Sequence, residues 1–469
     1  MDLHFDDNNN LSLKRFERML KTNAVFFFDS SEFEKIIVYY IDNGKLNLAK
    51  KAIELALDQH PEIIAIRTLK AELLIIEDKF NEAEKLLNEL EHFEPTNIEI
   101  YIQKALLFSK QDKHTEAIQI FEFALQLTDD GSDLEVFSLM GMEYLYLENF
   151  EKALIYFNKC LDIDPEDQSS LFNVIYCYDM MDQYEKSIQF LQKYIEDQPY
   201  NETAWHQLGK EFSNLGKYIE AIKSFDFAIL IDDKFIGAYL EKGKALEKLE
   251  HYYDAIDNYN ICNELDDPSA FTFLRIGFCY ERLNQTEKAV DFYLKSAEQD
   301  PYLDKPVLSI ISILFTKRDY QKSIFYINQL INIDEENLEY WRLYGHANMK
   351  IAFFEEAAKA YEKCLKLKDN SIDIYLELAD AYYYSGDLFQ SIKTLLKAEI
   401  YFHNNAEIQY RLSGLYFLIK NNDMGVKYLK YAHRIKPKVL SHFQKLFPII
   451  YNTKGFQNLI QNLNSNNPF

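Results

Sequence analysis

Five cysteines, ten histidines and 75 carboxylates are the side chains of this 469-residue chain that could ligate a metal, attack a substrate or move a proton. The cysteines are the most informative, because their spacing is regular: Cys160, Cys262 and Cys364 recur every 102 residues, and Cys177 and Cys279 are separated by the same 102. Ligands of one ion, or the partners of a disulfide, must converge within a few ångströms. Thiols repeated at a long constant interval follow a structural period instead, which predicts small, buried packing positions. The histidines form no HExxH, no Ser/His/Asp grouping stands out by spacing, and no glycine-rich phosphate loop occurs. The carboxylates are scattered, so no acid–base pair separates from a solvated background. The sequence therefore predicts a non-enzyme with no cofactor and no metal.

The elements that carry these residues are helices. Only 13 glycines and 10 prolines interrupt a chain with 34 tyrosines and 35 phenylalanines, a balance that favours long helices joined by short turns. A net charge of −24 argues against a general nucleic-acid binder, whose affinity rests on neutralising phosphates. The longest later apolar run, Val307–Phe315, is nine residues, against the roughly 20 that span a bilayer. The first ten residues are acidic where an export signal is basic, and no cysteine precedes Cys160 for lipidation. The expectation is a cytoplasmic protein without a membrane span.

The helices repeat every 34 residues. Counting from Ser30 gives starts at 30, 64 and 98 and, after a two-residue insertion at Ser132–Asp133, at 134, 168, 202, 236, 270, 304, 338, 372 and 406. Residues not used to find this register confirm it. Gly141, Gly209, Gly243, Gly277 and Gly345 fall at repeat position 8, and both tryptophans, Trp205 and Trp341, at position 4. Pro61, Pro95, Pro165, Pro199, Pro301 and Pro437 fall at position 32, where one helix must stop before the next begins. The cysteines take positions 27 and 10 of this count.

Residues 202–235 carry Trp205, Leu208, Gly209, Phe212, Ala221, Phe225 and Ala228, an order and spacing that resemble the tetratricopeptide repeat. The resemblance extends over 30–439 as about twelve tandem repeats. It implies an all-α, right-handed superhelical solenoid of antiparallel helix pairs with helical caps at both ends. Two helices lie close only where one presents a small residue, here Gly209 against the small face at Ala221 and Ala228. The expected organisation is a leader and capping helix in 1–29, with one amphipathic helix from Leu11 to Phe28; repeats 1–3 in 30–131; a phase break and hinge at 132–133; repeats 4–12 in 134–439; and capping helices at 440–447 and 455–464 within a C-terminal segment 440–469. Ile37, Ile175 and Ile311 replace the small residue at position 8, which predicts wider packing there. Lys70, Lys104 and Lys242 at the usually apolar position 7 must snorkel or pair.

Positions 2, 5, 9, 12 and 13 of each first helix would line the inner groove, where the resemblance implies that a protein or peptide partner binds. In repeats 6–10 seven of these 25 positions are basic (Lys210, Lys244, Lys248, Arg282, Lys305, Arg342, Lys350) and three are acidic, against roughly three and four at the chain's average composition. With Phe271, Phe278 and Phe315 beside them, they predict capture of an acidic, partly apolar segment. Repeats 1–4 show the opposite sign, with Glu34, Asp42, Glu72, Glu99 and Glu135 against Lys110. Phe172, Tyr176, Tyr383, Tyr384 and Tyr410 form a second aromatic group at groove positions. The lysine, asparagine and arginine pattern of an Hsp70 or Hsp90 carboxylate clamp is absent: Asn173 sits at position 6, but Ser138, Met142, Thr203 and Gln207 stand where its partners would be. The expected function is a non-catalytic scaffold or adaptor. The alternative is a permanent subunit of a larger assembly that uses its convex face or its caps.

Overall fold

A computed structural model describes residues 7–22, 26–128 and 133–465. Among the described residues every regular element is a helix, and twelve antiparallel pairs follow one another. Each first helix opens on position 1 of the 34-residue count (Ser30, Ile64, Ile98, Leu134 and so on to Ala406) and each second helix on position 17 (Leu46, Phe80, His114, Phe150 to Asn422). The chain is an all-α solenoid of antiparallel helix pairs. Its backbone contacts cluster into two units, residues 1–238 and 239–469.

Local chemistry sets the helix ends. The residue before many first helices is Asn, Asp or Ser, whose side chain accepts an otherwise unpaired backbone N–H, as Asn201 does from Ala204 (2.8 Å) and Ser269 from Thr272 (3.1 Å). The turn inside each pair needs one left-handed residue at position 15. Gly44, Gly216 and Gly386 meet that need without strain, while Asp78, Glu148, Arg318 and others adopt it with a side chain.

The glycines at position 8 have a different task. A β-carbon on Gly141, Gly209, Gly243, Gly277 or Gly345 would fall 2.4–2.6 Å from a ring carbon of Phe157, Phe225, Tyr259, Tyr293 or Tyr361, the residue at position 24 of the same repeat. It is thus the ring of Phe225, rather than Ala221 or Ala228, that fills the space over Gly209. Where position 8 is Ile37, Ile175 or Ile311, position 24 is Ile53, Leu191 or Ile327, all buried, so the volume missing from one helix is returned by the other. The helices of repeat 5, Gln168–Met180 and Tyr184–Asp197, approach closely over much less of their length than those of repeat 8, Ala270–Arg282 and Thr286–Gln299.

Two expectations are corrected, one at each end of the array. The first helix spans Asp7–Thr22 rather than Leu11–Phe28. Residues 26–29 are not helical, because Gln59 holds them: its Oε1 accepts from the Phe28 N–H (3.1 Å) and its Nε2 donates to the Phe26 carbonyl (2.9 Å), which seats Phe28 against Phe16 and Phe33. After the last pair come a 3-10 turn at Pro437–Val439 and helices Leu440–Leu446, Pro448–Tyr451 and Lys454–Ser465, so a short extra helix separates the two expected ones. There the Phe447 ring plugs the space at Gly414, and Phe443 stacks on Phe456 with ring centroids 4.8 Å apart. Ser132 of the insertion lies outside the described residues; Asp133 caps the following helix through the Val136 N–H (3.0 Å). Lys104 pairs with Glu91.

Candidate functional site

Four successive first helices, Ile236–Lys248, Ala270–Arg282, Asp304–Thr316 and Leu338–Lys350, carry nine of the ten residues singled out above. Their 34-residue spacing stacks equal positions side by side. Lys244 Nζ donates to Glu241 Oε1 (2.8 Å) and lies 5.4 Å from the ring centroid of Phe271 on the neighbouring helix. That ring is 41% exposed. Lys248, Lys305 and Lys350 are exposed, and none of them makes an ion pair among the described residues. Phe278 is half-buried beside the Arg275 guanidinium (5.3 Å), and Phe315 is half-buried between Tyr320 (5.6 Å) and His346 (5.7 Å). Burial and then the Lys350 charge push the His346 imidazole below its ordinary value, so it adds no positive charge at neutral pH.

Besides Lys244, two of the predicted cations are already engaged. Arg342 Nε donates to Asp369 Oδ2 (2.7 Å) and another of its nitrogens to Ser371 Oγ (3.0 Å). Arg282 Nε donates to Tyr252 Oη (3.1 Å), with its guanidinium 5.7 Å from that ring and 3.6 Å from Glu250. Lys210, on the first helix of repeat 6 (Glu202–Asn214), is exposed. Next to it Glu211 is almost fully buried against Asp179 of repeat 5. Burial first, then the Asp179 charge, drive the Glu211 carboxyl far above its usual range, and burial raises Asp179 as well. A hydrogen bond between two carboxyls requires that one of them hold a proton.

Sequence reasoning missed Arg275. Its Nε donates to Glu247 Oε1 (2.9 Å), a second guanidinium nitrogen reaches Glu247 Oε2, and Tyr259 Oη donates to the same carboxylate (2.6 Å). Glu247, at groove position 12 of repeat 7, is buried and accepts all three of these bonds. The signal is a 28-residue separation between position 12 of one repeat and position 6 of the next, which no single-helix period reveals. Glu281 is similarly held, by Tyr293 Oη at 2.6 Å. The second aromatic group does not come together as one surface: Phe172 and Tyr176 are exposed in repeat 5, whereas Tyr410 is buried and Tyr383 packs on Phe447 of the C-terminal cap (5.2 Å).

All five cysteines are free and buried, and burial pushes Cys177 and Cys364 up to about 12. Such thiols are poor nucleophiles and poor ligands. Among the described residues no group of three or more His, Cys, Asp or Glu side chains could hold a metal ion, and no helix is long and apolar enough to cross a membrane.

Comparison with known proteins agrees with the architecture. Tetratricopeptide repeat families match residues 97–166, 202–235 and 272–301, and the chain is a tetratricopeptide-repeat protein of multiple tandem helix pairs. No curated protein matches it. Among solved structures it is similar to the C-terminal part of a TPR repeat-containing protein from Cytophaga hutchinsonii (17% identity, 51% of this chain and 98% of that one, TM-score 0.42). It is also similar to a chain of the APC/C hetero-tetramer Cut9–Hcn1 (15%, 87% and 93%, 0.32) and to YrrB, described as a TPR protein with an unusual peptide-binding site (15%, 39% and 94%, 0.33). At such scores these likenesses say nothing about what this chain binds.

Proposed function

We propose that the chain is a non-catalytic protein-interaction scaffold whose first helices in repeats 7–10 receive an acidic, partly apolar segment of a partner protein. The observation that carries this reading is the set of unpaired, exposed ammonium groups of Lys248, Lys305 and Lys350 at groove positions of these first helices, together with the exposed Phe271 ring that Lys244 touches. Charges left free in the isolated chain attract a partner of opposite sign, and an aromatic ring supplies an apolar anchor. Arg282 and Arg342, held by their own neighbours, shape that face more than they charge it.

The test is affinity capture from lysate of the source cells with the wild-type chain and with the triple substitution Lys248→Glu, Lys305→Glu, Lys350→Glu, eluting first with salt and then with denaturant. The reading expects a partner released by salt and lost with the variant, because screened charge contacts weaken with ionic strength. Capture that the variant leaves intact overturns it. A second reading, a permanent subunit, is favoured by the outer faces of the second helices. Ile219, Phe227 and Leu230 of repeat 6, and Phe389, Ile400 and Tyr401 of repeat 11, are large apolar side chains left exposed. Partners recovered only in denaturant would favour it.

A further inference from the structure

Position 9 of the first helix is a groove position, half-buried or exposed in repeats 1–11 and buried in repeat 12, where it is Gly414. Every other repeat has a side chain there, so Gly414 alone leaves a slot. A β-carbon on it would run into the Phe447 ring, which is 2% exposed. Three further groove positions of Ala406–Leu418 meet the same C-terminal segment. Glu407 at position 2 pairs with His442, the Tyr410 ring at position 5 lies edge-on to Phe443 (6.3 Å between centroids), and the Phe417 ring at position 12 lies edge-on to Phe456 (5.9 Å).

A thirteenth repeat would stack differently. Helix Leu440–Leu446 packs mainly on the first helix of repeat 12, whereas a first helix within the array packs mainly on the preceding second helix, as Ala406–Leu418 does on Leu388–Tyr401. The segment also reaches back past repeat 12. Tyr383 of repeat 11, again at groove position 12, donates through Oη to the Leu446 carbonyl 63 residues away (3.3 Å), and its ring packs on Phe447 (5.2 Å). Charge agrees with this placement. In a chain of net charge −24, residues 440–465 contain Lys445 and Lys454 and no acid, while the groove positions of repeats 11 and 12 include Asp373, Asp380 and Glu407 and no basic residue.

We propose that residues 440–465 are an internal ligand. They lie on the groove face of repeats 11 and 12 as a partner's segment would, hold that stretch shut, and lift to admit a partner helix of the same chemistry. That helix is basic and carries two aromatic side chains four residues apart, as Phe443 and Phe447 are. The Gly414 slot takes the second ring, and Glu407 takes a cation beside the first. Joined to the array by the short turn Pro437–Val439, the segment competes at a high effective concentration, so the closed form prevails until a partner outbinds it. The inference rests on reading the chain as an interaction scaffold, but on repeats separate from the lysine stretch.

The experiment is fluorescence anisotropy of a fluorescein-labelled peptide of residues 437–465 added to the full chain. The wild-type chain is expected to bind it about tenfold or more weakly than the variant Phe443→Ala with Phe447→Ala, whose own segment no longer fills the slot. Adding Gly414→Leu to that variant closes the slot and is expected to abolish binding. Equal binding to the wild type and the double variant overturns the proposal, as does binding to neither, or binding that Gly414→Leu leaves intact. A second measurement needs no variant. Native-state hydrogen exchange of the wild type is expected to show Leu440–Leu446 and Lys454–Ser465 opening at a lower free energy than Ala406–Leu418. Opening of all three as one unit makes the segment a structural end of repeat 12 and overturns the proposal, even where the double variant fails to fold. A wild-type dimer in light scattering whose copies exchange the segment makes a second copy the occupant and overturns it too. The peptide reads repeats 11 and 12 alone, so a failure here leaves the lysine capture test of repeats 7–10 standing, and a failure there leaves this result standing.

Discussion

Repeats 8 and 5 begin from the same plan and reach opposite electrostatic outcomes. In repeat 8 Gly277 leaves room for the Tyr293 ring, and the ring carries its hydroxyl to the acid at position 12, Glu281. In repeat 5 Ile175 and Leu191 occupy the same two positions, so no hydroxyl reaches the acid at position 12, Asp179, which faces Glu211 of the next repeat instead, and burial raises both carboxyls. Repeat 7 follows the first pattern and adds a cation, Arg275, to Glu247 and Tyr259. The pair of residues at positions 8 and 24 thus decides whether the acid at position 12 meets a tyrosine hydroxyl or faces another acid.

The largest effect expected on this contrast comes from Arg275→Met, which leaves Glu247 buried with only the Tyr259 hydroxyl. A loss of about 3–5 kcal/mol is expected, and the double substitution with Glu247→Gln should recover much of it. Denaturant unfolding of the three variants measures both, and equal stability of single and double variants would break the assignment. Next comes Gly277→Ala, which drives a methyl into the Tyr293 ring and should cost about 1–3 kcal/mol, whereas Ile175→Val in the looser repeat should cost about 0.5–1.5 kcal/mol. Hydrogen exchange should quicken in Ala270–Arg282 and Thr286–Gln299 for the first and much less in Gln168–Met180 for the second, because stability in a repeat array is local.

The smallest effect has the opposite sign. Glu211 ionises in the folded chain only above its ordinary value of 4.5, so between 4.5 and that raised value the folded state holds a proton that the unfolded chain has released. Stability therefore falls as pH rises through this window. Glu211→Gln removes the linkage and offers Asp179 a donor, so the melting midpoint at neutral pH should rise and its slope with pH should flatten. A melting profile identical to the wild type would show that the pair shares no proton.

The repeat was legible because its signals are local and recur: the glycines at position 8, the prolines at position 32 and the cysteines at positions 27 and 10 are one-dimensional marks of one packing solution. The helix starts follow from the same marks. The functional face was legible only as a list of signs. Lys248, Lys305 and Lys350 are free, but Arg342 is taken by Asp369, which lies in the turn after the second helix, and Arg282 by Tyr252 and Glu250 of the preceding repeat. A groove position defined by helical period says which way a residue points, and nothing about what the next repeat places in front of it. Arg275 escaped notice for the same reason. At the N-terminal end, Phe28 reads as the last residue of a helix; the Gln59 amide, 31 residues away, decided otherwise.

By itself the sequence determined the period, the helix pairs, the burial of the cysteines and the opposite charge of the two stretches of first helices, since each depends on residue type repeated at fixed spacing. Tertiary structure alone decided which charges are spent and which glycine meets which ring. Those are properties of two or three repeats in contact, and a contact between side chains some 30 residues apart is settled by packing and desolvation rather than by pattern.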